Sequence, residues 1–460
     1  MSVLTDLRGL NRSQWSAVTA SLLGWTLDAF DFFLMVFMFS AIAKEFRTDV
    51  ASVAIAATLT LAARPFGALV FGLLADRFGR RPVLMVDILL YSVIEFASAF
   101  APNLTILLIL RALFGFAMGG EWGVGASLTL ESIPAGARGF ISGLLQEGYA
   151  MGYLLASLVF AFLFDRIGWR GMFMIGVAPA LLVVLLRLGV KESPAFAAHH
   201  QARQEAQALK GGKPRLGGLG LALLSLAALA VAIAPALAGA LNSQAMLWWV
   251  YGVDAPLALA GLWVFRSHWR TALFAVALMT AFNFFSHGAQ DLYPTFLGKQ
   301  HHLNTTTVGL LTVIGNLGAI IGGLGFGALS ERLGRRWTIV IAALLSLAVI
   351  PLWAFSRTLA LLAAGAFLIQ VMVQGAWGVV PAHLNELSPP NQRGAFPGYV
   401  YQLGNLLASG CVVWQSRIAE THRGDYGLAL AMVVSVVAFV IAGLTLLGPE
   451  RRGADFAASA

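Results

Sequence analysis

Five polar residues recur in one short stretch, Ala281-Phe-Asn283-Phe-Phe-Ser286-His287-Gly-Ala-Gln290-Asp291, at i, i+3, i+4, i+7 and i+8 from Asn283. In a helix this spacing puts Asn283, Ser286, His287, Gln290 and Asp291 on one face. Their chemistry is that of binding and proton exchange: amides and a hydroxyl orient a small anion, and an imidazole beside a carboxylate titrates near neutral pH. Gln402 and Asn405 form a second amide pair at i+3. Arg64, followed by Pro65, offers a planar guanidinium that suits a carboxylate; its other reading is an ion pair with Asp28 or Asp31. A membrane-embedded hydrolase is disfavoured, because His287 and Asp291 lack a third metal ligand and no His-Glu-x-x-His run occurs. No catalytic residue, metal or other cofactor is expected.

The elements that must carry these residues are apolar. Of 460 residues 58% are hydrophobic and 11% charged, where a soluble domain carries about 25% charge, and the mean hydropathy is +0.79. Lipid must surround most of such a chain. That excludes a soluble enzyme and, with no Lys/Arg-rich run, a nucleic-acid-binding domain. The single cysteine, Cys411, excludes disulfides and thiolate metal sites. Turns and charges cut the chain into membrane-length blocks at 17–42, 53–75, 82–101, 105–130, 139–163 and 171–189, then 219–240, 246–265, 271–297, 305–328, 337–355, 359–383, 394–417 and 427–448. The expected fold is therefore all-α and polytopic, with fourteen transmembrane helices. The first block is too long for the core of a cleaved signal peptide and is read as a retained span. His199-His200 and His301-His302 fall in loops, and Trp15, Trp248, Trp249 and Trp263 read as interfacial anchors.

Basic residues gather in alternate loops (Arg77, Arg80, Arg81, Arg138, Lys191, Lys213, Arg335, Arg336, Arg393), which places both termini on the cytoplasmic side. The net charge of +8 expresses that bias rather than an acidic partner. A charge at the bilayer centre costs at least about 2.5–3.5 kcal/mol, so ionisable groups within spans are functional candidates. Asp28, Asp31, Arg111, Glu121, Glu147, His287 and Asp291 are candidates for proton coupling, with Glu95 also mid-span. Arg64, Asn283, Ser286, His287, Gln290, Gln402 and Asn405 are candidates for substrate binding.

The chain also repeats itself. Gly72-Leu-Leu-Ala-Asp76-Arg77-Phe-Gly79-Arg80-Arg81 returns 255 residues later as Gly327-Ala-Leu-Ser-Glu331-Arg332-Leu-Gly334-Arg335-Arg336. In the same register Trp122-Gly123-Val124 falls on Trp377-Gly378-Val379, Glu131 on Glu386, Pro134 on Pro389, Arg138-Gly139 on Arg393-Gly394, and Asp28 on Asn283. The embedded charges are not repeated: Arg64, Arg111, Glu121 and Glu147 fall on Ala319, Ala366, Ala376 and Gln402. Proton handling is thus expected to lean on the first half.

The doubled loop resembles the signature of the major facilitator superfamily, and Arg111-Ala-Leu-Phe-Gly115-Phe-Ala-Met-Gly119-Gly120 resembles that superfamily's fourth-helix motif. The resemblance implies two six-helix bundles, 1–190 and 271–460, with a cytoplasmic loop and two extra helices inserted at 191–270, and a substrate held between the bundles near the midplane. The loops then read as gates, in which Gly72, Gly79 and Gly334 allow close approach and tight turns while Asp76, Arg77, Arg80, Arg81, Glu331, Arg332, Arg335 and Arg336 supply charge pairs.

The stretch from Asn283 to Thr295 resembles the Jen-type carboxylate permeases, whose signature is Asn-x-x-Ser/Thr-His-x-Ser/Thr-Gln-Asp; Ala289 stands where a hydroxyl is usual. Gln402 and Asn405 resemble the amide pair lining that family's site. Leu10-Asn-Arg-Ser-Gln14-Trp15, Leu27-Asp28-Ala-Phe-Asp31-Phe and the extra helix pair resemble the related bacterial sialic acid permeases. The resemblance implies a proton symporter of a small organic anion, lactate or pyruvate, working by alternating access, with sialic acid as the alternative. It further implies a monomer in the bacterial inner membrane whose partners are the anion, the proton and the bilayer. Phe284, Phe285, Tyr293 and Trp377 are expected to line and narrow the cavity, favouring the smaller acid.

Overall fold

The computed structural model describes residues 7, 9–48, 50–188, 192, 227, 230–231, 234, 248–389 and 392–454. Asn11 starts the first helix, α1 (Arg12–Glu45), with a reciprocal cap: its side chain accepts from the Gln14 backbone, and the Gln14 side chain accepts from its own. There follow α2 (Val50–Phe78), α3 (Arg80–Ser98), α4 (Leu104–Met118), α5 (Glu121–Ser132), α6 (Arg138–Gln146) and α7 (Gly148–Leu188). The expected span 105–130 is broken at Gly119-Gly120 into α4 and α5. The expected spans 139–163 and 171–189 are joined in α7, where the chain turns at Gly168 with φ 61°.

In the second half α8 (Ala255–Ala260) leads through a tight turn run into α9 (Trp269–Gln290), then α10 (Tyr293–Thr295), α11 (Thr305–Leu333), α12 (Arg335–Ala354), α13 (Leu359–Leu387), α14 (Phe396–Ala408), α15 (Cys411–Thr421) and α16 (Tyr426–Leu447). The described residues contain helices and no strand. Nine runs among them are long and apolar enough to cross a membrane. Among the described residues the expected spans 246–265 and 271–297 lie in one run, Val250–Gln300, kinked at Phe265 and His268, and the expected 394–417 is divided at Ser409-Gly410. Nearly all of the expected span 219–240, together with His199, His200, Lys191 and Lys213, lies outside the described residues.

Each half packs by the same plan. α2 lies on α4 and α1 on α7; in the second half α11 lies on α13 and α9 on α14. Lipid offers no hydrophobic drive between helices, so close backbone approach through small residues holds them. Gly115 and Gly119 seat α4 on the carbonyls of Thr60 and Arg64, where any Cβ would collide, and Gly318 and Gly322 seat α11 on those of Phe367 and Val371. Large apolar side chains, among them Val93, Phe162, Val436 and Phe439, stay exposed on the outside, as lipid contact requires. The halves meet where α6 packs on α11 and α13, and where α14 packs on α2 and α5.

Candidate functional site

Between the halves lies a small cavity, lined from the first half by Trp25, Asp28, Phe32, Arg64, Gln146 and Tyr149, and from the second by Asn283, Ser286, His287, Gln374, Trp377, Tyr401 and Asn405. Arg64 lies at the middle of α2 and faces Asp28 of α1 at 3.9 Å. One of its terminal nitrogens also touches the Met118 sulfur at 3.0 Å, while Phe32 lies beneath the guanidinium at 5.4 Å.

On α9 the polar face is formed. His287 Nδ1 lies 2.8 Å from Asp291 Oδ2, and Nε2 lies 3.1 Å from Asn405 Oδ1. Gln402 does not line the cavity; it is buried behind Asn405, 3.5 Å from that residue's amide nitrogen, and so orients it. Gln290 likewise sits behind Ser286 and donates to its hydroxyl at 2.9 Å. Asn283 donates to the Met279 carbonyl at 2.8 Å. The side chains of His287 and Asp291 keep 18% and 33% exposure.

Three of the four rings expected to narrow the site point elsewhere. Phe284 stacks on Trp414, Tyr293 stacks on Trp353, and Phe285 is fully buried in the surrounding core. They lie on α9 or just beyond it, off the polar face, and only Trp377 lines the cavity. The rings that do line it are Trp25, Phe32, Tyr149 and Tyr401, with the amides Gln146 and Gln374; Trp25, Asp28 and Phe32 stand at i, i+3 and i+7 on α1, a helical spacing that sequence reasoning missed because two of the three are apolar. The one signal for Tyr401 was its place next to Gln402.

The other embedded charges form separate groups. Arg111 pairs with Glu95 at 2.7 Å and donates to Ser98, wholly inside the first half, with Asp31 buried nearby against Gly176. Glu121 is buried at the start of α5. Glu147 sits at the break between α6 and α7, pressed against Gly323 of α11, so that it lies between the halves rather than in the cavity.

The opposite end from His287 is shut by the repeated loops, here termed the latch face. Asp76 accepts from the backbone N–H of Gly394 at 2.9 Å and of Ala395 at 3.2 Å in the other half, and Arg80 bridges it to Glu131. The second copy repeats this: Glu331 accepts from the Gly139 N–H, and Arg335 pairs with Glu331 and Glu386 at 3.0 Å each. Gly72 makes room for Gly394 and Ala395, and Gly139 for Gly327. Gly79 and Gly334 turn the loops with φ of 106° and 88°. Arg77 and Arg332 are exposed, Arg77 over the Phe78 ring at 5.2 Å; Arg81 meets Glu192 through its backbone, and Arg336 donates to the Thr445 and Leu446 carbonyls. At the other end Glu45 pairs with Arg170 at 2.7 Å within the first half. Burial raises the Glu45 carboxyl, but hydrogen bonds from Arg170 and Trp169 outweigh that and hold it below the usual range.

Comparison with known proteins fits this geometry. The pattern of the family described as sugar (and other) transporters matches residues 16–214 and 238–450. A carboxylic acid transporter protein homolog of Saccharomyces cerevisiae is 27% identical over 470 residues, covering 98% of this chain and 71% of that protein. The sialic acid transporter NanX of Escherichia coli is 25% identical over 446 residues, covering 96% of each chain. Among solved structures, the major facilitator superfamily proton:xylose symporter XylE with a bound bromo-deoxyglucose aligns with a TM-score of 0.68 at 18% identity, over 96% of this chain and 97% of its own.

Proposed function

The chain belongs to the sugar (and other) transporter family, and from that membership we propose that it is a proton-coupled symporter of a small monocarboxylate, lactate or pyruvate, working by alternating access. One observation carries the reading: Arg64 and Asp28 of one half and His287 and Asn405 of the other meet in a single cavity closed at the latch face. An anion that takes Asp28's place at Arg64 leaves a buried carboxylate without its cation. Uptake of one proton restores neutrality, so anion and proton enter together. His287 and Asp291, both partly exposed, pass that proton in or out, while Asp31, Arg111, Glu121 and Glu147 are further candidates for storing it.

Substrate contacts come from Arg64, Asn283, Ser286, His287 and Asn405, with Gln290 and Gln402 acting through Ser286 and Asn405. The latch face is the cytoplasmic one, the membrane is the bacterial inner membrane, and the units are 1–190, 191–270 and 271–460. The transporter works as a monomer.

Sialic acid is the second reading. It is favoured by the similarity to NanX and by Gln146 and Gln374, amides beyond those that a short acid needs. Vesicles with the purified protein, an alkaline interior and radiolabelled lactate test both. Acid-driven lactate uptake displaced by pyruvate and not by sialate supports the first reading; displacement by sialate alone replaces it with the second; no uptake of either acid sinks the symport assignment.

A further inference from the structure

The cavity holds hydrogen-bond donors that the protein itself does not satisfy. Trp25 and Trp377 both line it, both are more than nine-tenths buried, and neither indole Nε1 has an acceptor; the Arg64 Nε lacks one too. A buried donor without a partner costs about 1–3 kcal/mol, and an acceptor brought by a ligand would remove that penalty.

The internal repeat gives the reason for one of these vacancies. Trp122 and Trp377 occupy equivalent positions, 255 residues apart. Trp122 Nε1 donates to the side-chain oxygen of Gln146 at 3.3 Å. The residue equivalent to Gln146 is Tyr401, whose ring meets Trp377 edge-on at 5.6 Å and presents no amide oxygen to it. The exchange of glutamine for tyrosine freed the indole on the cavity side of the second half, while its counterpart stayed occupied. The same ring of Tyr401 packs against Trp25 at 6.4 Å and Trp122 at 4.6 Å, so flat aromatic walls surround the freed donors.

Resting on the anion reading above, we propose that Trp377 and Trp25 read a second oxygen of the substrate, on the carbon next to the carboxylate, and that the transporter prefers 2-oxo acids to the matching 2-hydroxy acids. A carbonyl oxygen accepts two N–H donors in its own plane and brings no hydrogen of its own. A hydroxyl brings an O–H that needs an acceptor of its own; the Gln146 oxygen already serves Trp122, the Asn405 oxygen already faces His287, and Asp28, on the anion reading, holds the proton that enters with the substrate. The conjugated carboxyl and carbonyl groups of an oxo acid are also flat, as the rings around the site require. Trp377 and Trp25 are thus determinants of specificity, whereas Arg64 supplies affinity for every carboxylate.

The test is competition for radiolabelled lactate counterflow in vesicles of equal internal and external pH, with pyruvate against lactate and 2-oxobutyrate against 2-hydroxybutyrate as the inhibitors. The wild type should favour each oxo acid by about 3- to 10-fold, the scale of one neutral hydrogen bond. Trp377→Phe keeps a ring and removes the N–H, and should move pyruvate more than lactate, carrying the ratio toward one; Trp25→Phe, made separately, gives the same reading from the other half. Equal inhibition by oxo and hydroxy acids in the wild type overturns the proposal and leaves the anion reading standing, as does a ratio unchanged in both variants. Absence of any monocarboxylate counterflow overturns the anion reading and this inference with it.

Discussion

Arg64 and Asp28 face each other across 3.9 Å inside the cavity, too far for a hydrogen bond and close enough for attraction. Neither oxygen of Asp28 has a hydrogen-bond partner, and Arg64 uses the weak Met118 sulfur as an acceptor. A pair held this loosely is ready to exchange Asp28 for an incoming carboxylate. Arg64→Lys keeps the charge but loses the planar fork, and should lower the affinity for lactate about 10- to 100-fold, the worth of one charge-assisted hydrogen bond. Asp28→Asn should retain counterflow and lose accumulation driven by a pH gradient. Unchanged gradient-driven accumulation in Asp28→Asn vesicles would remove Asp28 from the coupling step.

The His287 ring is held at both nitrogens, by Asp291 at 2.8 Å and Asn405 at 3.1 Å. Donation from both nitrogens is possible only for the imidazolium, so Asp291 favours the protonated ring. Asp291→Asn removes that support, and its acid-driven uptake should reach its half-maximum at lower external pH than in the wild type. His287→Ala should weaken counterflow, since a substrate contact goes with the ring, and lose the pH response of whatever transport remains between about pH 5 and 8. Wild-type pH profiles in both variants would place the proton elsewhere.

The two latches are copies, and their effects should add. Asp76 takes two backbone donors across the halves and Glu331 takes one. Asp76→Asn and Glu331→Gln should each weaken closure by about 1–3 kcal/mol, and the double variant by roughly the sum, since the pairs share no partner. Spin labels at Phe78 and Leu333, both exposed at the loop ends, report the population in which the latch face is parted. Labels that stay at the wild-type separation in the double variant would show that the glycine contacts alone hold the face shut.

How far the sequence reaches follows from what each signal depends on. The latch was legible because it depends on local order: a glycine turn between two helices, a carboxylate one turn before it and an arginine just after, written twice. The α9 face was legible for the same reason, since five polar residues at helical spacing in an apolar span have few places to go. The partners of those residues were not. That Gln402 supports Asn405 while Asn405 meets His287 depends on the angle between α14 and α9, and that Phe284 and Tyr293 turn away depends on which neighbours flank α9. The remaining lining residues come in small sets from separate helices, Trp25, Asp28 and Phe32 from α1 and Gln374 and Trp377 from α13, and only the packing of those helices brings the sets to one cavity. The boundary expected between 265 and 271 falls at the kink of Phe265 and His268 inside the run Val250–Gln300, because charge and polar residues (Arg266, Ser267, His268) interrupt the apolar sequence there.

Glu147 and Gly323 define the tightest contact between the halves away from the latch. The Glu147 carboxyl occupies the position that a Cβ on Gly323 would take, and one turn earlier Gly143 lies against the Gly323 carbonyl. The repeat sets Gln402 and Ala68 at the corresponding positions, so the glycine is specific to the side that carries the acid. Gly323→Ala should therefore displace the Glu147 carboxylate, and, where that buried side chain has no room to turn, hold α6 and α11 apart. Overpacking of this kind costs about 1–3 kcal/mol, enough to shift the balance between closed and open forms about 5- to 100-fold and to cut lactate counterflow accordingly. The clash is with one side chain, so removing that side chain should relieve it: Gly323→Ala combined with Glu147→Ala should close the latch face again, read by the same spin labels, whatever the second change does to proton coupling. A double variant that remains parted would mean that the added methyl group acts through the Gly143 or Gly378 backbone, and that Gly323 serves helix approach rather than the seating of Glu147.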